Sequence, residues 1–146
     1  MRITGSARIA AAAPEQIFRL LLDPAVLSKC LPGCEGLERT GEDEYRMRMK
    51  AVIGAVSGAF DGTVRLSDQK APQSFRMAVE GSGRIGFVKG EGLLKLAGQD
   101  GGTEIAYDGE VQVGGMIASV GQRLLDATAR MIIRRFFTRL SEEAGQ

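Results

Sequence analysis

The stretch from Met116 to Ala144 constrains the fold more than any other part of the chain. It follows a glycine pair, Gly114-Gly115, and contains no proline. Apolar residues recur at helical spacing on one stripe, Ile117, Val120, Leu124, Ala127 and Met131. A second, overlapping stripe carries Leu125, Ala129, Ile132, Phe136 and Leu140. An ordinary surface helix buries a single stripe, so two adjacent stripes make an unusually wide apolar face. At 1.5 Å per residue, a helix of ~28 residues would run about 40 Å. A face of that size needs a large concave apolar partner, which the upstream sequence has to supply.

From Glu35 to Gly115 the hydrophobic period changes to two. Tyr45, Met47, Met49, Ala51 and Ile53 alternate with Arg46, Arg48, Lys50 and Val52. Phe60, Gly62, Val64 and Leu66 alternate with Asp61, Thr63, Arg65 and Ser67, and Phe75, Met77 and Val79 with Arg76 and Glu80. A strand is expected from Phe87 to Leu96, and a last one in which Ile105, Tyr107, Gly109, Val111 and Val113 alternate with Glu104, Asp108, Glu110 and Gln112. Glycine- and proline-bearing turns separate these runs. An apolar face backed by a charged one is the mark of an antiparallel sheet solvated on one side. Most of the 20 glycines fall between Gly33 and Gly121, which suits bent strands and tight turns.

Upstream, Met1 to Ala12 reads as a strand. Pro14 then opens a short helix with Ile17, Phe18, Leu21 and Leu22 on its apolar face. Pro24 ends it and begins another, carrying Val26 and Leu27 to about Cys30, and Pro32-Gly33 is a turn. The expected architecture is α+β, a single domain over 1–146: a curved antiparallel sheet of about seven strands wrapped around a long C-terminal helix, with two short helices after the first strand.

Composition removes several function classes. A net charge of +1, from 19 basic and 18 acidic residues, gives no global field for nucleic acid. No run approaches the ~18 apolar residues of a membrane span, and the start Met1-Arg2-Ile3-Thr4-Gly5 lacks a signal peptide's apolar region, so a cytoplasmic location is expected. The chain has no histidine, which denies it the usual catalytic triad, and only two cysteines, Cys30 and Cys34. These read as reduced thiols without metal. The acidic runs Glu42-Asp43-Glu44 and Glu142-Glu143 lie in a turn and near the chain end, as solvated charge does. Gly81-Ser82-Gly83-Arg84-Ile85-Gly86 matches G-x-G-x-x-G but lies between strands, the wrong context for a dinucleotide. Arg46, Arg48 and Lys50 read as a solvated sheet face. Arg130, Arg134, Arg135 and Arg139 crowd the end of the long helix, where they favour its dipole and are candidates for docking a partner.

Three segments carry a family resemblance. Leu31-Pro32-Gly33-Cys34-Glu35 is similar to the LPGCE segment of the carbon-monoxide-dehydrogenase G-subunit family. Gly114 to Leu124 resembles that family's entry into its long helix, and Gly58-Ala59-Phe60-Asp61-Gly62 also fits. The whole pattern resembles the helix-grip fold of the START and birch-pollen-allergen (SRPBCC) superfamily. The resemblance implies an accessory protein of molybdenum-containing CO dehydrogenases or related hydroxylases. It would serve membrane association or electron delivery, with a quinone- or lipid-like ligand. Many members carry a further C-terminal tail that reaches the membrane; the sequence ends at Gln146 without one, so either the gene product is tail-less or the sequence is truncated, and the expected membrane contact is peripheral, at the inner face, if there is any.

Within such a fold the inward stripe acquires a second meaning beside ordinary core. Tyr45, Met47, Met49, Phe60, Phe75, Met77 and Tyr107 would form a soft wall, because methionines adapt to irregular shapes. Gly62, Gly90, Gly92 and Gly109 would leave room beside it, and Val120, Leu124 and Met131 would face it from the helix. The Tyr45 and Tyr107 hydroxyls are candidates to orient a polar headgroup. The reading is a non-enzymatic carrier without a cofactor. Its alternative is a superfamily enzyme of cyclase or hydratase type that uses Tyr45 or a cavity carboxylate.

Overall fold

The alternation produces one sheet. The computed structural model describes residues 1–145 and contains β1 (Arg2–Ile9), α1 (Pro14–Leu22), α2 (Pro24–Cys30), β2 (Cys34–Gly41), β3 (Glu44–Ile53), β4 (Val56–Lys70), β5 (Ser74–Gly83), β6 (Gly86–Gln99) and β7 (Gly102–Gly114). A single 3₁₀ turn (Met116–Val120) and α3 (Gln122–Ala144) complete it. The seven strands are ordered β1-β7-β6-β5-β4-β3-β2, each antiparallel to its neighbours. Strands β2 to β7 form a meander of hairpins. The α1–α2 connection carries the chain from β1, at one edge, to β2, at the other.

The short helices start where their prolines place them. Pro14 occupies the first turn of α1, where its missing N–H costs nothing, with Glu15 beside it. Asp23 caps α2 by accepting the Ala25 N–H at 2.9 Å. Both helices bury their apolar sides in the main core, which joins Ile17, Phe18 and Leu21 to Ile9, Tyr45, Phe75, Ile105 and Leu140. Phe18 and Phe75 meet edge to face, 5.6 Å between centroids. The end of α3 is tied into this core by polar contacts. Gln16 donates to the Ala144 carbonyl (3.1 Å), and Glu143 lies 3.5 Å from Lys29 and 3.3 Å from Arg139.

The long helix is shorter than the periodicity predicts. Gly121 adopts φ +97°, ψ 154°, a conformation essentially reserved for glycine, and separates the 3₁₀ turn from α3. The regular helix therefore has 23 residues and runs about 35 Å. The turn before it does different work. Ile117 donates its N–H to the Ile85 carbonyl (2.8 Å) and is buried in a second core with Ile53, Phe60, Ile85 and Leu125.

The outer sheet face carries cross-strand ion pairs: Arg48 with Asp61 and Glu35, Arg65 with Glu44, Arg76 with Asp68, and Lys89 with Glu80. The basic row expected on β3 is thus a solvated and partly paired face. Exposed pairs of this kind contribute ~0–1 kcal/mol each. No described helix is long and apolar enough to cross a membrane.

Candidate functional site: a cavity between sheet and helix

A gap remains within the main core, whose Leu21, Tyr45, Leu66, Phe75 and Leu94 line it. A cavity of about 370 Å³ lies under α3, lined on the sheet side by Met47, Val64, Phe75, Met77, Val79, Tyr107 and Val111. Leu21 of α1, Leu27 of α2, Leu31 just after α2 and Leu37 of β2 close it on one side, and Ile132, Ile133, Phe136 and Phe137 of α3 on the other. Glu91 and Asp108 contribute to the wall, but Glu91 is exposed and Asp108 pairs outward with Arg2 at 2.9 Å. The lining side chains are otherwise apolar apart from the two tyrosines.

The hollow arises from how the strands approach one another. Gly92 faces Gly109 across β6 and β7, and Gly92 also faces Met77 across β5 and β6. A β-carbon on Gly109 would lie 2.8 Å from the Glu91 carbonyl oxygen, and one on Gly92 would lie 3.1 Å from that of Asp108. Glycine here lets the strands close up in a strongly curved sheet, and it also leaves empty the space side chains would fill.

Of the residues expected to face a ligand, Tyr45, Met47, Phe75, Met77, Tyr107 and Gly109 line the cavity. Met49, Phe60 and Val120 do not; they belong to the second core, at the end of the sheet near the 3₁₀ turn. Leu124 is 37% exposed, and Met131 is half-buried but outside the cavity wall. The physical reason is rotational phase: after the break at Gly121, α3 turns the face Ile132, Ile133, Phe136, Phe137 toward the sheet. The adjacent pairs Ile132-Ile133 and Phe136-Phe137, four residues apart, were the available signal, since they place the bulkiest side chains on one side.

The tyrosines differ. The Tyr45 hydroxyl donates to the Leu22 carbonyl at 2.6 Å and so anchors the end of α1. It is committed to the fold, and burial raises its pKa above the usual value. Tyr107 stacks on Phe137 (centroids 5.7 Å, planes 18° apart), and Phe137 meets Phe136 edge to face at 5.3 Å.

The four candidate docking arginines do not form one patch. Arg139 is held by Glu142 (3.0 Å) and Glu143 (3.3 Å). Arg130 and Arg134 line a separate cleft beside β1, and exposed Arg135 does not line it. Asp126, a possible i,i+4 partner of Arg130, instead accepts from Gln122 at 2.8 Å. Cys30 and Cys34 are free thiols, and among the described residues no cluster of three His, Cys, Asp or Glu could hold a metal. The G-x-G-x-x-G match spans the β5–β6 hairpin, with no helix after it.

A seven-stranded curved sheet gripping a C-terminal helix over an apolar hollow defines a START-like helix-grip protein. A START superfamily protein from Mycobacterium smegmatis superposes with TM-score 0.73 at 14% identity, covering 99% of this chain and 97% of that one. A Chromobacterium violaceum protein does so with TM-score 0.75 at 16% identity, covering 99% and 97%. A conserved protein from Geobacillus kaustophilus is closer in sequence, at 35% identity and TM-score 0.93, covering 99% of this chain and 95% of that one. The family model of the carbon monoxide dehydrogenase G subunit (CoxG) matches residues 5–145, and the chain belongs to that family. Among curated proteins, none matches.

Proposed function

We propose that the protein is a non-catalytic carrier that holds a quinone- or lipid-like molecule in the cavity under α3. It would serve a molybdenum hydroxylase of the CO dehydrogenase type, in membrane association or electron delivery. It would work in the cytoplasm, attached at most peripherally to the inner face of the membrane. The observation that carries this reading is the cavity: about 370 Å³, walled by apolar side chains, between the sheet and α3. Interiors pack to crystal-like density, so a hollow of this size is a site for a ligand rather than a tolerated defect. Membership of the CoxG family supports the choice of partner enzyme. The cyclase or hydratase alternative finds little support. Tyr45 is engaged by Leu22, Glu91 is exposed, and Asp108 is paired with Arg2.

Calorimetric titration with a short-chain quinone tests the reading. Saturable binding with one site per chain is expected, and Val79→Phe, which pushes a ring into the hollow, should weaken it at least tenfold. Absence of saturable binding across a panel of quinones and lipids would overturn the carrier reading.

A further inference from the structure

A second cavity, about 770 Å³ and open to solvent, runs between the free edge of β1 and α3. It shares Ile3, Tyr107, Ile133 and Phe137 with the inner cavity. The two spaces are therefore neighbours, and the stacked Tyr107–Phe137 pair stands on their common wall. They differ sharply in chemistry. The inner one is apolar, whereas the residues lining the outer one include Arg2, Arg8, Arg130 and Arg134 together with Asp126 and Glu142.

Most of these charges are engaged. Arg2 pairs with Asp108 (2.9 Å), and Arg8 donates to the Gln99 carbonyl (2.9 Å). Asp126 accepts from Gln122 (2.8 Å), and Glu142 is held by Arg139 (3.0 Å). Arg130 and Arg134 have no ion-pair partner among the described residues. They stand four residues apart, hence on one face of α3, directly beside Ile133 and Phe137 of the shared wall. Two adjacent guanidiniums suit a carboxylate or phosphate, which each can bind through two parallel N–H bonds.

We propose that the cleft is the headgroup site of an anionic amphiphile, with the acid group on Arg130 and Arg134 and the apolar chain passing Tyr107–Phe137 into the inner cavity. This rests on the carrier reading and, among its lipid-like ligands, favours acid-headed ones over neutral ones. The aromatic pair is the gate. Stacked, it separates the two spaces, and a rotamer change at Phe137 joins them. The edge position of β1, hydrogen-bonded only to β7, keeps the cleft open on its other side.

Dodecanoic acid and dodecanol carry the same chain with charged and neutral heads, and calorimetry at pH 8 compares them. The acid should bind at least tenfold more tightly. Arg130→Gln/Arg134→Gln should bring the acid down to the level of the alcohol and leave the alcohol unchanged. Lys70→Gln/Lys95→Gln, at exposed positions that do not line the cleft, removes the same charge and should preserve the preference. Dodecyl phosphate should behave as the acid does, whereas tight binding of inorganic phosphate alone would mark a free-anion site and overturn the proposal. Equal affinity for acid and alcohol, or a preference that survives the double arginine variant, would also overturn it while leaving the carrier reading standing. Binding of neither would overturn this proposal, and the carrier reading falls with it only if the panel of quinones and lipids also shows no saturable binding. None of the substituted side chains belongs to either core, and thermal melts should confirm that the variants fold.

Discussion

The space between the sheet and the long helix is filled at one end and hollow in the middle, although the same two elements bound both regions. At the filled end Phe60 and Ile53 of the sheet meet Leu125 of α3, with Ile85 and Ile117 wedged among them. Those last two come from a hairpin turn and a 3₁₀ turn, segments that leave the regular elements and fold inward. In the hollow no such third layer exists. The strands there carry Gly90, Gly92 and Gly109, and the helix spans the curve like a chord. A sheet bent around a straight helix fills where other segments are inserted: the two turns at this end, and α1 and α2 in the main core.

The largest effect should come from emptying the filled end. Phe60→Ala is expected to lower unfolding free energy by about 3–5 kcal/mol in urea denaturation, as large-to-small changes in closed cores do. Met77→Ala, beside the existing hollow, should cost less than about 2 kcal/mol, because this half-buried side chain faces the cavity and has fewer packing contacts to lose. Equal losses would erase the distinction between the regions.

Gly121 separates the turn that fills one end from the helix that roofs the other. Gly121→Ala forces a non-glycine residue into φ +97° and should cost about 1–3 kcal/mol, read by thermal or urea unfolding. A neutral result would mean that the turn and helix can rejoin as one continuous helix.

Additions should invert the pattern seen with deletions. Ala51→Phe, in the filled end, is expected to destabilise by about 1–3 kcal/mol through overpacking. Val79→Phe should change stability by less than about 1 kcal/mol while weakening ligand binding at least tenfold, about 1.4 kcal/mol. The smallest effect concerns Cys30, 2% exposed in the main core, whose pKa burial raises to about 11. Its thiolate fraction at pH 8 is then about a thousandth, and alkylation of the folded protein should leave it unmodified while urea exposes it. Rapid reaction of Cys30 in the native state would indicate that the main core opens.

Much of this was legible along the chain, because alternation is a local property. The strands from Tyr45 to Val113 follow from period two, and the two short helices from Pro14 and Pro24. The cavity was only partly legible. Met47, Phe75, Met77 and Tyr107 face it as their alternation requires, but Met49 and Phe60 share the same face and lie further along, under the inserted turns. Nothing local marks where along a strand a third layer begins. Both stripes of α3 were apolar, and choosing between them required its phase after Gly121. Tertiary contacts set that phase. The roof contributed by Leu27 and Leu31 and the Arg130–Arg134 cleft depend on segments brought together only when the sheet closes on the helix.

The most direct test is photolabelling with a diazirine-bearing short-chain quinone, with the labelled residues mapped by peptide mass spectrometry. Saturable labelling is expected at Met77, Val79, Ile132 and Phe136, competed by unlabelled quinone and abolished by Val79→Phe. Labels concentrated on Phe60, Ile85 and Ile117, or spread without competition over the outer face, would contradict a ligand site in the hollow.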